Sequence, residues 1–374
     1  MTNKKIKIIF ILEHFYPHIG GAETLFFNLM KELSKIKKIE IIVATSNSGG
    51  ITGEKKYSKN FKVFYFNWPS FFGHPIPLYK DVKKLIKESD IVHTGTYTSG
   101  FFSWFFAKLN KKKIVLTVYE NLFFKWFLVD NFFRALIFFI FEFITVHLPF
   151  DYYIAISQST KNDLIKSGIN KNKIRVIYPF IENELFIRNK NNQESKNKFK
   201  NYFLYFGRPG KTKGIFILLK AINLLKEKLL KDFYFLLILS DDPLSEKNKI
   251  IDFVKKNKLE DIVEVKSPLP RKNLIKKIKE SFCVIIPSIT EGFGYSAYES
   301  ILLGKPVILS DSGSLKEIAS GRYLLFKSRD FKDLSEKIML ALKNNFDHKK
   351  RFLIDKNKNL KLLLKIYKNI KKNF

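Results

Sequence analysis

The sequence contains one cysteine in 374 residues, and this excludes a fold held together by disulfide bonds. Cys283 begins the apolar run Cys283–Ile286, so we predict that it is a small side chain packed inside a buried strand. A chain without disulfides suits a reducing compartment. The composition therefore predicts a cytoplasmic protein.

Acidic residues are scarce, because 35 Asp and Glu stand against 67 Lys and Arg and give a formal net charge of +32. Three explanations remain open. A compositional bias would inflate Lys, Asn, Ile and Phe together, whereas a functional charge would attract an anionic membrane surface or a nucleic acid. The sequence lacks zinc-finger spacing and RNP-like aromatic motifs, so we expect no nucleic-acid partner.

Long hydrophobic runs are also missing, even in the aromatic stretch 132–149. Its longest uncharged piece, Ala135–Phe141, is far shorter than the roughly 20 residues that span a bilayer. The stretch is either a buried helix that closes a sheet or an aromatic surface in the membrane interface. We favour a core helix, with the preceding Leu122–Leu128 directed toward the membrane. The protein is then expected to be peripheral on the inner face of the cell membrane.

What the sequence does contain is a regular alternation of apolar runs and amphipathic stretches. Continuous apolar runs such as Ile6–Leu12 indicate parallel strands buried on both faces, and their alternation with helices predicts an α/β fold with doubly wound sheets. The predicted strands are Ile6–Leu12, Ile39–Ala44, Val63–Asn67, Ile91–Thr94, Ile114–Val118, Tyr153–Ile156, Tyr202–Phe206, Phe233–Leu239, Ile262–Val265, Val284–Ile286, Val307–Leu309 and Tyr323–Phe326.

The alternation stops once, in the Asn- and Lys-rich stretch 187–201, which has almost no apolar residues and predicts a hinge. The chain then divides into a Rossmann-like domain at 1–186 and a second one at 187–357. A basic helix at 358–374 is expected to pack back on the first domain. Ligands bind beyond the carboxyl ends of such sheets, so we expect the two domains to face each other across a cleft that holds the site.

The most informative motif is Glu291-Gly-Phe-Gly-Tyr-Ser-Ala-Tyr-Glu299, which follows one predicted buried strand and precedes another. Its glycines let the backbone approach a ligand closely, and the helix that follows points N–H groups at the same place, which suits phosphate. Glu299 follows Glu291 by eight positions. Carboxylates accept hydrogen bonds from hydroxyls, so a sugar or ribose is the natural target.

A second motif, Gly207-Arg-Pro-Gly-Lys-Thr-Lys-Gly214, follows the first strand of the second domain. Its cations, Arg208 and Lys213 in particular, can hold a diphosphate through charge-assisted hydrogen bonds. The loop is not a Walker loop, because the order of glycines and lysine differs. A solvated basic loop is the alternative.

Further polar residues follow the strands of the first domain. The Gly20-Gly21 pair lies between the first strand and a helix, where it either cradles a phosphate or makes a tight turn. Because ligands bind beyond the ends of such strands, polar side chains at these ends are candidates, with a packed or solvated role as the alternative for each. These candidates are His14, His93, Tyr119 and Glu120.

The context of strand, Glu-Gly-Phe-Gly, helix, Glu and Gly-Lys-Pro-Val resembles the retaining glycosyltransferases of group 1 (family 4), which have the GT-B fold. The resemblance covers most of the chain and is strongest over 202–326. It implies that Arg208 and Lys213 neutralise a nucleotide diphosphate, that Glu291 holds the sugar near its anomeric carbon, and that Glu299 binds the ribose. It also implies that Gly20-Gly21 faces the donor phosphates and the acceptor.

Three places depart from the pattern of that family. Tyr119-Glu120 stands where a His-Asp pair is common, Ser240–Pro243 replaces a Gly-x-Gly-Pro segment, and Ser267–Pro270 lacks the glycine found where the base sits. Gly313-Ser-Leu-Lys-Glu317 resembles the Gly-Gly-x-x-Glu segment with Ser as its second residue, and it is expected to turn the chain near the donor. The first departure leaves the role of Tyr119 open, and the other two leave the nucleotide open.

The resemblance implies a metal-independent glycosyltransferase that uses a nucleotide-diphosphate sugar as co-substrate, needs no further cofactor, and glycosylates a glycan or lipid-linked acceptor with retention of configuration. The alternatives are a non-catalytic basic GT-B scaffold that binds membrane or RNA, and another GT-B sugar enzyme such as a nucleotide-sugar epimerase or a phosphorylase. The predicted catalytic residues are Glu291, His93 and Tyr119. The predicted donor-binding residues are Gly20, Gly21, Arg208, Lys213, Gly292, Phe293, Gly294, Tyr295 and Glu299.

Overall fold

A computed structural model describes residues 5–18, 20–47, 50–71, 74–181, 201–227 and 233–372 of the chain. The chain divides into two compact units, one formed by Met1–Ile181 with Ile354–Phe374 and the other by Glu182–Leu353. Except for its last residue, the hinge predicted over 187–201 lies outside the described residues, as does the predicted boundary at 186.

The central strands of the first unit are short apolar runs, and nearly all of their side chains are buried. Their bounds are β1 Ile6–Leu12, β2 Ile39–Ser46, β3 Gly53–Ser58, β4 Phe61–Phe66, β5 Ser70–Phe71, β6 His74–Pro75, β7 Ile91–Gly95, β8 Lys113–Val118, β9 Tyr152–Ala155 and β10 Ile174–Val176. Among the described residues, eight of them form one sheet in the order β10-β9-β8-β7-β1-β2-β4-β3, and β5 pairs with β6. All pairs of the large sheet are parallel except β3 with β4.

Helices connect these parallel strands, as a parallel sheet requires. Their bounds are α1 Gly21–Ser34, α2 Tyr79–Lys87, α3 Thr98–Leu109, α4 Trp126–Val129, α5 Phe132–His147 and α6 Gln158–Lys166. The start of α6 shows why the sequence specifies it, because the Ser157 hydroxyl accepts a hydrogen bond from the backbone N–H of Thr160 at 3.0 Å and caps the helix.

The second unit repeats the same architecture. Its strands are β11 Asn201–Gly207, β12 Phe233–Leu239, β13 Val263–Lys266, β14 Cys283–Ile286, β15 Val307–Ser310, β16 Gly321–Phe326 and β17 Asp347–Lys349. Its described helices are α7 Ile215–Leu225, α8 Leu244–Lys256, α9 Arg271–Glu280, α10 Tyr295–Leu302, α11 Leu315–Ile318 and α12 Phe331–Leu342. The described strands form one sheet in the order β13-β12-β11-β14-β15-β16-β17, in which only the pair β16 with β17 is antiparallel.

Both sheets reverse their strand order at one point, between β1 and β7 in the first unit and between β11 and β14 in the second. The loops that leave the two central strands there run to opposite sides of the sheet, which opens a crevice beyond the carboxyl ends of the strands. The predicted doubly wound α/β architecture is therefore confirmed. The loops after β1, β7, β11 and β14 are the places where each unit can bind a ligand.

The last helix, α13 Lys356–Lys372, belongs to the first unit. The Tyr367 hydroxyl shares a hydrogen bond of 2.6 Å with Nδ1 of His93 in β7, and Nδ2 of Asn359 donates to the carbonyl of Tyr178 at 3.0 Å. Nζ of Lys371 lies 3.1 Å from a carboxylate oxygen of Asp90. These contacts join the end of the chain to its first half.

The expectation that the aromatic stretch forms a core helix is wrong for α5. Its buried residues are few and mostly small or polar, namely Ala135, Glu142, Thr145 and Val146. The large apolar side chains Phe132, Phe133, Leu136, Ile137, Ile140, Phe143 and Ile144 are exposed instead. Apolar content alone misled the prediction, because the phase of a helix decides which side chains face the core. In the part of the chain that the structure describes, no helix has the length and hydropathy needed to cross a bilayer.

Candidate active site

The loops after β11 and β14 lie directly against each other at the strand-order reversal of the second unit. The backbone N–H of Ile289 donates to the carbonyl of Thr212 at 2.7 Å. Gly214 has a φ of 65°, and a Cβ at this position would overlap the carbonyl oxygen of Pro287. Only glycine allows this approach without strain. Gly214 therefore lets the Gly-rich loop bring its preceding residue, Lys213, up to the loop after β14.

This contact places Lys213 beside Glu291. The Lys213 Nζ lies 2.8 Å from Oε2 of Glu291, and the Ser288 hydroxyl donates to the same oxygen at 3.1 Å. The Glu291 side chain is only 14% exposed, and that of Lys213 is 32% exposed. The ion pair therefore holds the carboxylate in one orientation while one side of the cation still faces solvent.

The predicted turn at Gly313 supports the backbone of Glu291. The Glu291 carbonyl accepts hydrogen bonds from the backbone N–H of Ser314 at 3.1 Å and from its hydroxyl at 3.2 Å. Gly313 has a φ of 53°, and a Cβ there would overlap the same carbonyl. The segment thus fixes the position of the Glu291 backbone, and Ser314 adds a hydrogen bond that a second glycine would not supply.

Residues 292–294 lead from Glu291 into α10. Gly292 and Phe293 are buried, and the Phe293 ring packs on the rings of Tyr295 and Tyr298 at 5.4 Å each. Gly294 directly precedes the first turn of the helix and lies close to the side chains of Leu315 and Ile318. The N–H groups of that turn lie at the carboxyl edge of the sheet, where an anion would find hydrogen-bond donors and the positive end of the helix dipole.

Glu299, on α10, is held by a residue that the sequence did not predict. The two terminal nitrogens of Arg271 donate to its two carboxylate oxygens at 2.8 and 2.7 Å. Arg271 is the first residue of α9 and directly follows the loop 267–270. The sequence signal for Arg271 was a cation that begins a helix just after the carboxyl end of a strand. Its partner, Glu299, lies 28 positions further along the chain.

Arg208 pairs with a different loop. Its guanidinium lies 3.0 Å from a carboxylate oxygen of Asp242, which follows β12, and both side chains are largely exposed. The buried Lys247 joins that loop to the next by binding Asp241 and, at 2.9 Å, the Ser267 hydroxyl. An exposed ion pair such as that of Arg208 contributes little to stability, so a multiply charged anion can replace Asp242 as its partner.

In the first unit, Gly20 and Gly21 lie at the start of α1, as predicted. The Glu23 carboxylate packs against Gly20 and binds Nδ1 of His18 at 2.8 Å. Burial opposes ionisation, but the hydrogen bond from His18 holds the pKa of Glu23 below its ordinary value. The ring of His14 stacks on that of His18 at 4.6 Å, and burial lowers the pKa of His14.

Glu13, directly after β1, is a second residue that the sequence analysis did not single out. Its Oε1 accepts hydrogen bonds from the Thr98 hydroxyl at 2.5 Å and from the Ser99 backbone at 3.2 Å, and its Oε2 lies 3.1 Å from Nδ1 of His74. Glu13 thus joins the end of β1 to the start of α3, on both sides of the strand-order reversal. A carboxylate directly after a strand whose last five residues are buried was the signal for it.

The prediction that His93 lies beyond a strand end and acts in catalysis is wrong. His93 lies inside β7 and is 0% exposed. Its Nδ1 shares a hydrogen bond with Tyr367 and its Nε2 shares one with the Thr117 hydroxyl at 2.7 Å. Burial lowers the pKa of His93 to about 3. With both ring nitrogens bound inside the core, His93 holds the fold together.

Tyr119 and Glu120 do follow a strand end, that of β8, and both are partly exposed. The Tyr119 hydroxyl lies against Gly95, and its ring contacts Phe26 and Tyr97 with centroids 6.0 and 6.1 Å away. Tyr119 therefore lies at the carboxyl edge of the first sheet, where the sequence placed it, and its role stays a prediction.

Two Rossmann-like units, each with polar residues at its strand-order reversal, define a protein of the GT-B class. A solved structure of Anabaena HepE with bound UDP and glucose has the same fold. The match covers 91% of this chain and 90% of the HepE chain, with a TM-score of 0.70 and 18% sequence identity.

The model of Glycosyltransferase Family 4 matches residues 19–185, and that of Glycosyl transferases group 1 matches residues 186–359. An uncharacterised glycosyltransferase of Methanocaldococcus jannaschii is 30% identical over 88% of this chain and 87% of its own length. The O-antigen chain mannosyltransferase RfbU of Salmonella typhimurium is 27% identical over 48% of this chain and 47% of its own. This chain belongs to the group 1 glycosyltransferases.

Proposed function

We propose that the protein transfers a hexose-like sugar from a nucleotide-diphosphate donor to a glycan or lipid-linked acceptor, with retention of the anomeric configuration and without a metal. The observation that carries this proposal is the Lys213–Glu291 ion pair at the strand-order reversal, in front of the first turn of α10. It supplies a cation for the leaving group and a carboxylate for the sugar at the same place. The UDP and glucose bound by the HepE structure support a donor of this class.

The cations at this edge suit the departing diphosphate. Cleavage of the anomeric C–O bond leaves negative charge on the diphosphate, which Lys213, Arg208 and the N–H groups near Gly294 would stabilise. An ammonium group has three donors, so Lys213 can bind a phosphate oxygen while it keeps its bond to Glu291. These groups neutralise the leaving group by themselves, and for this reason the proposal includes no metal.

The carboxylates suit the rest of the donor. Positive charge develops at the anomeric carbon as the bond breaks, and Glu291 would stabilise it and accept hydrogen bonds from the sugar hydroxyls. Glu299 would accept hydrogen bonds from the ribose. Its two oxygens offer about four acceptor positions, of which Arg271 uses two, so ribose hydroxyls still find acceptors.

We assign acceptor binding to the carboxyl edge of the first sheet. Glu13, His74 and Tyr119 lie there with the Gly20-Gly21 turn, and their carboxylate, imidazole and hydroxyl groups suit the hydroxyls of a sugar. The similarity to the Salmonella O-antigen chain mannosyltransferase supports a glycan acceptor. An acceptor linked to lipid would bring the enzyme to the inner face of the cell membrane.

The decisive variant is Glu291→Gln, which keeps the shape of the side chain and removes its charge. We expect turnover of the preferred nucleotide sugar to fall by about 100- to 1,000-fold, because a charged group is lost from the transition state. The unfolding temperature should stay near that of the wild type. Transfer rate, donor affinity and the anomeric configuration of the product by NMR are the measurements.

Glu264→Gln is the matched control, because Glu264 is an exposed carboxylate in β13 of the same unit. Its turnover should equal that of the wild type. If Glu291→Gln keeps full turnover while folding normally, Glu291 does not act at the anomeric carbon, and a non-catalytic scaffold becomes the better explanation.

A further inference from the structure

The first unit carries a large aromatic surface that no described part of the chain covers. We call it the aromatic face. Among its members, Phe133 is 78% exposed, Phe124 74% and Phe132 64%. The face consists of Phe124, Leu128, Phe132, Phe133, Leu136, Ile137, Ile140, Phe143 and Ile144. Single exposed apolar residues are ordinary on a protein surface, but seven on a helix of 16 residues mark an interaction site.

The face is continuous. The rings of Phe124 and Phe139 lie 4.9 Å apart, those of Phe127 and Phe132 lie 5.6 Å apart, and Phe139 contacts Phe143 at 6.0 Å. The exposed positions in α5 recur at intervals of three and four residues, so they share one side of the helix. The stretch that precedes α5 thus extends the same surface.

The face is also held in place from below. The buried Glu142 of α5 accepts hydrogen bonds from the backbone N–H groups of Leu122 and Phe123 at 3.0 and 2.8 Å, and from the Trp126 indole at 2.8 Å. These three bonds fix the preceding stretch on the helix. A surface that is ordered before binding loses little conformational entropy when it docks.

We propose that the aromatic face docks the first unit on an anionic phospholipid bilayer, with α5 lying in the plane of the interface. At about 1.5 Å per residue the helix is roughly 24 Å long, shorter than the hydrocarbon core of about 30 Å. An amphipathic helix with aromatic residues on one side and cations beside it is suited to the interface. An exposed cation, Arg134, lies within α5 next to Phe133 of the face.

Charge favours a bilayer over a second copy of the chain. The net charge of +32 makes two copies repel each other, whereas an anionic lipid surface attracts the same charge. Each basic residue near such a surface contributes about 1 kcal/mol. Docking therefore combines burial of the aromatic side chains with electrostatic attraction, and self-association has only the first.

The face adjoins the proposed acceptor site, and this part of the inference rests on the proposed function. Phe138 of α5 contacts the ring of His74 at 6.0 Å, and His74 binds Glu13 at the strand-order reversal. A bilayer at the aromatic face would present the head group of a lipid-linked acceptor next to Glu13 and His74. The acceptor class is then a sugar on a membrane lipid.

The test is flotation of the full chain with vesicles of phosphatidylcholine alone or of phosphatidylcholine with added phosphatidylglycerol as the anionic lipid. We expect binding to the anionic vesicles at low salt, weaker binding at high salt, and at least tenfold weaker partitioning of the triple variant Phe132→Ser, Phe133→Ser and Ile137→Ser. Leu244→Ser with Leu353→Ser is the matched control, because these exposed leucines lie in the second unit, and it should bind like the wild type.

Hydrolysis of the nucleotide sugar in solution separates the two proposals. The triple variant should keep the wild-type rate, because the altered residues lie outside the donor site. A wild type that floats normally but hydrolyses no nucleotide sugar would contradict the proposed function and leave docking standing. The docking proposal is overturned if the wild type does not float with anionic vesicles at low salt, or if the triple variant floats equally well. It is also overturned if sedimentation shows that the face holds a dimer which the triple variant breaks.

Discussion

At the scale of single residues, burial separates polar groups sealed in the core from those that solvent still reaches. His93 is sealed in the core with both nitrogens bound, whereas Lys213 and Glu291 pair at an edge that solvent still reaches. The family resemblance implied a role near the anomeric carbon for Glu291, and the position near a predicted strand end made His93 a candidate. The two side chains differ in position. His93 lies between β7 and the terminal helix α13, whereas Glu291 lies in the loop after β14.

The first prediction concerns His93 and pH. Burial lowers its pKa to about 3, whereas the ordinary value in an unfolded chain is 6.5. Between these values the unfolded state binds a proton that the folded state does not, so the free energy of unfolding falls as the pH falls. The slope from this residue approaches about 1.4 kcal/mol per pH unit below pH 6. Urea denaturation between pH 7 and pH 5 measures it.

His93→Gln should reduce that slope, whatever its effect on stability at pH 7. His348→Gln, on the exposed strand β17, is the control for the removal of a histidine. Equal slopes for His93→Gln and the wild type would mean that His93 is protonated in the folded protein.

At the scale of elements, the bounds of a strand were predicted well where the apolar pattern of the sequence matches the side chains that are buried. The strands Ile6–Leu12 and Phe233–Leu239 have the predicted bounds. The strands β3 and β17 were missed, because they are polar, mostly exposed and antiparallel at sheet edges, so no apolar pattern marks them. Hydrophobic pattern detects burial, and these two strands pair with their neighbours while most of their side chains stay exposed.

The second prediction concerns the attachment of α13. Tyr367→Phe removes the hydroxyl that binds Nδ1 of His93 and leaves this buried nitrogen without a partner. We expect the free energy of unfolding to fall by about 1 to 3 kcal/mol. Tyr152→Phe, on a partly exposed ring in β9, should change it by less than about 0.5 kcal/mol. Denaturant unfolding measures both, and equal effects of the two variants would show that the hydrogen bond adds no stability.

At the scale of the whole molecule, one architectural rule is used twice. Each sheet reverses its strand order once, and each carries its polar cluster beyond that reversal, with Glu13 in the first unit and Glu291 in the second. Loops diverge at these points, so side chains there can surround a ligand without disturbing the core.

The third prediction concerns donor binding by the whole protein. A ligand that binds only the folded state at 100 times its Kd adds about 2.7 kcal/mol of stability, which raises the unfolding temperature. We expect one class among UDP-, GDP- and ADP-sugars to do so. Glu299→Gln should reduce the shift if it binds the ribose. A thermal-shift screen measures this, and no shift with any nucleotide would contradict the donor assignment.

The sequence by itself determined the two α/β sheets, the loops that carry Arg208, Lys213, Glu291 and Glu299, and the family resemblance. These features depend on local patterns, since apolar runs, glycines and helix starts act on near neighbours. Only the tertiary structure decided that Arg271 holds Glu299, that α5 turns its aromatic side outward, and that Tyr367 binds His93 across 274 positions. Pairing and burial of this kind depend on which surfaces meet after the chain has folded, and no local pattern records that.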